Sequence, residues 1–449
     1  MKCIIVGAGI VGYSIAEALS NQGHDTTIID INRDRLSNVE EKLDVQTIEG
    51  SGSYLSKLYE AGVENADLLV AVTDSDELNM VDCFLAKSCG VKNTIARVRE
   101  PDYLTISSSN RQKAMGIDLI INPERIAAQE IAKLVRFPEA QDVDYYADGH
   151  VQMLELILPG TSPIVNKSLM EMAFPKPCVI VAIERNDEII IPRGRHILNA
   201  GDTIYILAGT KDMIDIELYI GALHSKPESI TILGGGLTGY YLAKFLEKEA
   251  NRPALKLIEE SNKCCQSLAE SLNYTMLING SGTDLSLLED EGVGNVDIFV
   301  AVTNDDKENL LVSILAKHLG AKKTIAQIRR SDYAHLLEKM GIDKAVSPRQ
   351  LTVAAILKFI SQGRIRSLTL LESGRAQMIE LEIPFGAFVS GKSLIELNFP
   401  EDALIGILVR GDKVLVPKGR DRIYAGDKVI IFALPKVLEK VEEYLTKKH

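Results

Sequence analysis

Gly7-Ala8-Gly9-Ile10-Val11-Gly12 follows the apolar run Cys3-Ile4-Ile5-Val6, and Asp30 closes the next β-branched run, 18 residues after Gly12. In such a turn each position has a separate duty. Gly7 permits the tight passage from strand to helix. Gly9 lets the backbone approach a pyrophosphate with no side chain between them. Gly12 allows the helix to pack closely on the sheet. Ala8, Ile10 and Val11 complete the loop, and the helix start offers unpaired N–H groups and a positive dipole end to an anion. Asp30 can accept hydrogen bonds from ribose hydroxyls and repels a 2′-phosphate. NAD(H), or another adenosine without that phosphate, is therefore favoured over NADP(H). The alternative is a glycine turn kept for packing alone.

The pattern recurs. Gly234-Gly235-Gly236-Leu237-Thr238-Gly239 begins 227 residues after Gly7 and follows Ile230-Thr231-Ile232-Leu233; its acid, Glu259, stands 20 residues after Gly239. Two such turns, each after an apolar run and each followed by an acid, are far more specific than one. Occupancy of the second crevice stays open, because a duplicated lobe can keep its fold and lose its ligand. Thr73 and Asp74 sit just past Leu68–Val72, at the carboxyl end of an expected strand, where open α/β sheets bind ligands. They return as Thr303 and Asn304, so one charge is lost; the alternative for this pair is a helix N-cap. Arg97 lies in Thr94–Val98 and is replaced by Gln327. It suits an adenine or phosphate, or a salt bridge at the end of the sheet. Ser51 and Ser281, in Gly50-Ser51-Gly52 and Gly280-Ser281-Gly282, could touch the adenosine side or simply close a turn.

These residues need a scaffold, and the chain describes one twice. Ala66–Asp74 returns as Val296–Asn304 and Thr94–Arg99 as Thr324–Arg329, both at an offset of 230. Met115-Gly116-Ile117-Asp118 matches Met340-Gly341-Ile342-Asp343 at 225, an offset that continues through Phe174-Pro175, Pro192-Arg193-Gly194 and Ala200-Gly201-Asp202. The duplicated unit is itself bipartite. Its first part alternates β runs with helical patterns (Ile10 to Leu19 is helical), which implies a parallel sheet with helices on both faces. Its second part holds closely spaced strands, at 153–158, 179–184, 188–191 and 203–208, as in a small α+β lobe. The boundaries expected are 1–136 and 226–361 for the nucleotide lobes, and 137–225 and 362–449 for the small ones. Pro138–Gly149 and Gly363–Gly374 are expected as linkers. The tail from Leu434, with Val437, Leu438, Val441 and Leu445, suggests an amphipathic helix packed on its own lobe.

Composition excludes several classes of function. Fifty basic residues against 62 acidic ones give a net charge of -12 over 449 residues. That argues against nucleic acid as the main partner. No stretch approaches the roughly 18 apolar residues of a membrane span, and no signal peptide is evident, so a cytoplasmic location is expected, with any membrane role exercised through a partner. The six cysteines show no metal-site spacing and are expected as buried free thiols. No histidine is shared between the halves as a proton donor beside a nicotinamide would be, and GxSxG, HExxH and P-loop lysine motifs are missing. The balance favours a ligand sensor with no catalytic residues and no metal. A fused NAD-dependent oxidoreductase and a scaffold with vestigial nucleotide folds are the alternatives.

The opening KCIIVGAGIVG, the DLLVAVTDSDELNM and TIARVREPDY segments and the late PRGRHILNAGDTIYI together resemble the TrkA family, the tandem RCK-domain (regulator of potassium conductance) subunits of Trk-type potassium uptake systems. The resemblance covers essentially the whole chain. It implies an α/β fold in which a Rossmann-like doubly wound parallel sheet, the RCK N-lobe, precedes a small α+β RCK C-lobe, twice over. It further implies a peripheral regulatory subunit on the cytoplasmic face of a TrkH- or TrkG-type membrane subunit. Such a subunit binds NAD(H) and, in some members, ATP or ADP, and four chains would form a homotetrameric ring of eight RCK units. Single-RCK relatives that gate with ATP often carry an arginine after the second glycine of the turn. Here Ile10 and Leu237 stand there, leaving Arg125 and Arg349 as substitutes.

Overall fold

Strands β1 (Lys2–Val6) and β4 (Leu68–Ala71) are apolar and almost wholly buried. A strand with both faces apolar belongs at the centre of a parallel sheet covered by helices on both sides. In the computed structural model β1 pairs in parallel with β2 (Asp25–Asp30) on one side and β4 on the other. Strands β3 (Gln46–Glu49), β5 (Asn93–Arg97) and β6 (Leu119–Ile121) complete a six-stranded sheet of order β3-β2-β1-β4-β5-β6, with every pair parallel. The chain leaves β1 for one neighbour and returns to the other. The carboxyl ends of β1 and β4 therefore flank the crevice at which a ligand of such a sheet sits. All residues are described except 105–114, 137–139, 187, 222–226, 250–251, 330–339, 361–364, 372–374, 398 and 448–449.

The second half repeats the sheet with β12 (Ser229–Leu233), β13 (Ala254–Glu259), β14 (Thr275–Asn279), β15 (Ile298–Ala301), β16 (Lys323–Gln327) and β17 (Lys344–Val346), in the order β14-β13-β12-β15-β16-β17. The chain forms two compact units, and each draws on both halves: Met1–Ala132 with Glu228–Phe359, and Lys133–Pro227 with Ile360–His449. The first unit holds both parallel sheets.

The other unit holds two antiparallel sheets of five strands. The first comprises β7 (Ala140–Tyr146), β8 (Val151–Ile157), β9 (Cys178–Arg185), β10 (Glu188–Ile190) and β11 (Thr203–Gly209), in the order β10-β9-β11-β8-β7. The second comprises β18 (Ile365–Leu371), β19 (Ala376–Glu382), β20 (Ala403–Arg410), β21 (Lys413–Leu415) and β22 (Lys428–Ala433), in the order β18-β19-β22-β20-β21. One core serves both. Met153, Val181, Tyr205 and Leu207 of the first sheet are packed with Met378, Ile407, Ile430 and Phe432 of the second, all essentially buried. Buried Glu380 accepts a 2.8 Å hydrogen bond from the Ala147 N–H across this core. The Ala200-Gly201-Asp202 motif has a structural reason here. Asp202 accepts Nε and Nη2 of Arg185 at 2.7 Å each, and Asp427 takes Arg410 in the same two-pronged way.

Two expectations need correction, and a third holds. The junctions are largely strands. Ala140–Tyr146 (β7) pairs with Val151–Ile157 (β8), and Ile365–Leu371 (β18) with Ala376–Glu382 (β19); Ala147–Gly149 form a short 3-10 turn, and residues 138–139, 363–364 and 372–374 lie outside the described residues. Asp142 and Asp144 hid the strand in β7, whose Val143 and Tyr146 are buried. All six cysteines are free thiols, but only Cys3 and Cys83 are buried; the other four are half-exposed. The tail helix, Leu438–Thr446, does bury Val441 and Leu445 in the core of its own lobe.

Candidate nucleotide-binding site

The two glycine turns have the same geometry. Gly7 and Gly234 have φ of +106° and +104°, a region open to glycine and strained for other residues. A Cβ on Gly12 would lie 1.8 Å from the Gly7 carbonyl oxygen, and one on Gly239 2.0 Å from that of Gly234. Close approach of helix to turn therefore demands glycine at both. Gly9 and Gly236 are different. Both are extended, and a Cβ on either would meet nothing within 4 Å. Neither strain nor packing asks for glycine there. The helices Ile10–Asn21 and Leu237–Glu247 begin directly behind these residues, with no side chain capping their first N–H groups. Such orphan donors facing open space are what an anion would take up.

Each acid fastens its own turn. Asp30 is buried and accepts the Ala8 N–H at 2.5 Å and the Asn32 N–H at 2.7 Å. Glu259 accepts the Gly235 N–H at 2.7 Å and the Ser261 N–H at 2.8 Å. Each carboxylate oxygen keeps a further lone pair that can take a ribose hydroxyl. Arg35 stands 3.7 Å from Asp30; the aligned residue in the second lobe is Cys264.

The Thr73 turn is held from below. Asn79, fully buried, accepts the Thr73 N–H at 2.8 Å and its hydroxyl at 2.7 Å, and donates to the carbonyls of Thr73 and Arg97. Asn309 repeats all four bonds on Thr303 and Gln327. The N-cap alternative for Thr73-Asp74 falls one residue short, because Ser75 caps the helix Asp76–Ser88 and Asp305 caps its counterpart. Asp74 is exposed. It lies 3.5 Å from Arg97 Nη2, while Arg99 Nη2 donates to its carbonyl at 2.8 Å. The Arg97 side chain is 11% exposed, and its buried Nε has no hydrogen-bond partner. Burial, with Arg99 nearby, holds its pKa below the usual arginine value. In the second lobe Arg329 donates to Asn304 Oδ1 at 2.7 Å, and the buried Gln327 leaves its Oε1 without a partner.

Ser51 and Ser281 close their turns, accepting the N–H of Ser53 at 3.3 Å and of Thr283 at 3.4 Å. Behind them, a Cβ on Gly52 would come 2.5 Å from Val6 Cγ1.

A cavity of about 930 Å³ brings many of these residues together. Gly7, Gly9, Ile10, Val11, Asp30, Ser51, Thr73, Asp74 and Arg97 line it, with Gly236, Leu237, Thr238 and Asn304 from the second lobe. A smaller one of about 180 Å³ lies over Gly234, Gly236, Glu259, Thr303 and Asn304. Ala8, Gly12, Gly235, Gly239 and Ser281 line neither cavity. Ala8 and Gly235 offer N–H groups to the acids, Gly12 and Gly239 packing room, and Ser281 a turn. The larger cavity also takes in Arg35, Asp82, Arg99 and Arg329, which the motifs did not single out as binding residues; of the two proposed substitutes, Arg349 lines it, whereas Arg125 is exposed and lines neither. Asp82 lies on the packed face of its helix and accepts the Ser53 hydroxyl at 2.8 Å. Burial pushes its pKa up to about 6. A charge at a core-facing helix position was the signal available for it.

The family model of the TrkA-N domain matches residues 3–123 and 230–348, and that of the TrkA-C domain matches 153–221 and 378–446. The chain belongs to the TrkA family. It is 41% identical to the Trk system potassium uptake protein TrkA homolog 1 of Methanosarcina mazei, over 99% of this chain and 100% of that protein. Its fold is that of tandem RCK domains. The solved GsuK RCK domain superposes with a TM-score of 0.64 over 98% of this chain and 94% of its own, at 18% identity. The GsuK channel bound to NAD gives 0.65, also over 98% of this chain and at 18% identity, and 78% of its own. The family's proteins are components of a potassium uptake system, and this one is a regulatory subunit and not an enzyme. Among the described residues no helix is long and apolar enough to cross a membrane.

Proposed function

We propose that this chain is the cytoplasmic gating subunit of a Trk-type potassium transport system, and that NAD(H) and ATP or ADP act through the first crevice. The observation that carries this reading is the open space before Gly9, where neither backbone strain nor packing explains the glycine. A pyrophosphate there would meet the uncapped N–H groups of the helix Ile10–Asn21. Asp30 would hold ribose hydroxyls, Ser51 would border the adenosine, and Thr73, Asp74, Arg97 and Arg99 would border the rest. In the second lobe, Gly236, Glu259, Thr303 and Asn304 would do the same for a second ligand. The GsuK channel, whose fold is similar, has been solved bound to NAD. The boundaries 1–136, 137–225, 226–361 and 362–449 fit this division of labour.

Control of flux follows from differential affinity. A nucleotide shifts the relation between the two nucleotide lobes only by as much as it binds one arrangement better than another. In a homotetramer of eight RCK units, such shifts would add at the surface that meets a TrkH- or TrkG-type membrane subunit. The test is potassium flux through the co-purified complex in vesicles, with each nucleotide in turn. A flux unmoved by NADH, NAD, ATP and ADP would sink the reading.

A further inference from the structure

We infer that Asp82 reads the base of a nucleotide held in the first crevice: its carboxylate accepts the amino N–H of an adenine, so that the crevice selects a 6-aminopurine over a 6-oxopurine. This rests on the nucleotide reading above and names the residue that recognises the base.

The fold places Asp82 where the base must go. With a pyrophosphate at Gly9 and ribose hydroxyls on Asp30 at the end of β2, the base extends toward the loop behind β3 and the helix behind β4. That loop is Gly50-Ser51-Gly52, and that helix is Asp76–Ser88, on which Leu78 and Asp82 stand one turn apart. Leu78 and Asp82 both line the large cavity, as does Ile31, the residue after Asp30. Ile31 and Leu78 are exposed apolar side chains, which a flat purine can cover. Asp82 itself is only 1% exposed. Its Oδ1 accepts the Ser53 hydroxyl at 2.8 Å. Its Oδ2 lies against the backbone of Gly52, 3.0 Å from where a Cβ would stand, and accepts no hydrogen bond among the described residues.

A buried carboxylate with one oxygen unused needs a reason. Among the described residues no cation offsets its burial, which raises its pKa, and the Ser53 hydroxyl is the group that opposes this. The fold does not require the charge. At the offset of 230 the same position in the helix Asp306–Leu319 is Val312, fully buried. Ile31 and Leu78 align there with Glu260 and Glu308, which line the smaller cavity. Two apolar side chains with a buried acid are thus exchanged for two acids with a buried apolar side chain. An ionised carboxylate has acceptor sites only. The ligand must therefore present a donor, and on the base of an adenosine that donor is the 6-amino group. A 6-oxopurine would set its carbonyl oxygen against the carboxylate, leaving both acceptors unpaired in a buried place.

The test is calorimetric titration of the full-length chain with ADP and inosine diphosphate, and with NAD and its hypoxanthine analogue, on the unaltered protein, Asp82→Asn and Asp82→Val. In at least one site per chain, the unaltered protein should favour each adenine ligand over its hypoxanthine counterpart by about tenfold or more. Asp82→Val, which copies the second lobe, should bring that ratio to within about twofold of unity. Asp82→Asn should do so by improving the hypoxanthine ligands, because a carboxamide can turn its NH2 to a carbonyl oxygen as well as its oxygen to an amino group. Thermal unfolding checks that the variants fold, and either one alone decides. A ratio that neither substitution moves, or an unaltered chain with no preference, would leave Asp82 a hydrogen-bond partner of Ser53 only and overturn the inference. An unaltered chain that binds neither ADP nor NAD would instead sink the nucleotide reading itself.

Discussion

The Asn79 carboxamide closes the backbone turn at Thr73, accepting its N–H and hydroxyl on Oδ1 and donating from Nδ2 to its carbonyl and to that of Arg97. One buried side chain thus joins the ends of β4 and β5, where the crevice opens. Asn79→Leu would strand these backbone groups in a buried site. Each unsatisfied group costs about 1–3 kcal/mol. We expect a loss of roughly 3 kcal/mol in denaturant unfolding and a marked fall in nucleotide affinity at the first crevice. A variant as stable as the parent would refute this role.

Gly9 and Gly12 separate ligand from fold. Gly9→Glu places bulk and charge in open space, so the melting temperature should stay near that of the parent while affinity for NADH and adenine nucleotides falls by about two orders of magnitude. Gly12→Ala drives a methyl group to 1.8 Å from the Gly7 carbonyl oxygen. It should lower stability by several kcal/mol, or prevent folding, whatever the ligand. Thermal unfolding of both variants with and without NADH distinguishes the two glycines. Undiminished NADH binding by a folded Gly9→Glu protein would contradict the proposed crevice.

Asp82 sets a pH dependence. Its carboxyl, raised by burial to about 6 in the fold, is an ordinary carboxyl when unfolded. The folded chain therefore holds an extra proton between these two values, and stability falls as pH rises from about 4 to about 6. Above that the full penalty, about 2–3 kcal/mol, persists. Asp82→Asn removes the charge and can still accept the Ser53 hydroxyl. It should be more stable than the parent at pH 7 and indistinguishable from it near pH 4. Parallel stability curves across this range would show that Asp82 carries no such cost.

Asp202 works in the opposite sense. Burial pushes its carboxyl up, but the two bonds from Arg185 and the Asn199 N–H more than offset this, and its pKa lies below the usual value. That stabilisation is fully present above the unfolded value and is lost as pH falls through the folded one. Asp202→Asn should cost about 2 kcal/mol at pH 7 and little in strong acid, as measured by urea unfolding at each pH. An equal deficit at both would assign the effect to packing.

Much of the site was legible because backbone requirements leave a mark in residue type. Gly7 and Gly12 had to be glycine for reasons of φ and contact, and Asp30 and Glu259 close their strands at the expected spacing. Asn79 and Asn309 escaped notice although they align at the same offset of 230. A buried asparagine on a helix face does not differ in sequence from an exposed one. Strands β7 and β18 were missed because polar residues interrupt their alternation, and their hydrogen-bond partners were needed to define them.

Periodicity, the glycine turns and the repeat determined by themselves that this chain would build two parallel nucleotide lobes, two small lobes and a crevice at the end of each central strand. Those features leave local marks in the sequence, in glycine placement and in the spacing of apolar runs, even though the strands that pair, such as Cys3 with Leu68, lie far apart along the chain. Only the tertiary structure decided that lobes of the same kind combine across the two halves, so that Arg349 meets Ser14 and Met153 shares a core with Phe432. The reason is physical. An apolar face or an unpaired guanidinium specifies that it needs a partner, but which one it finds depends on packing between segments more than 200 residues apart.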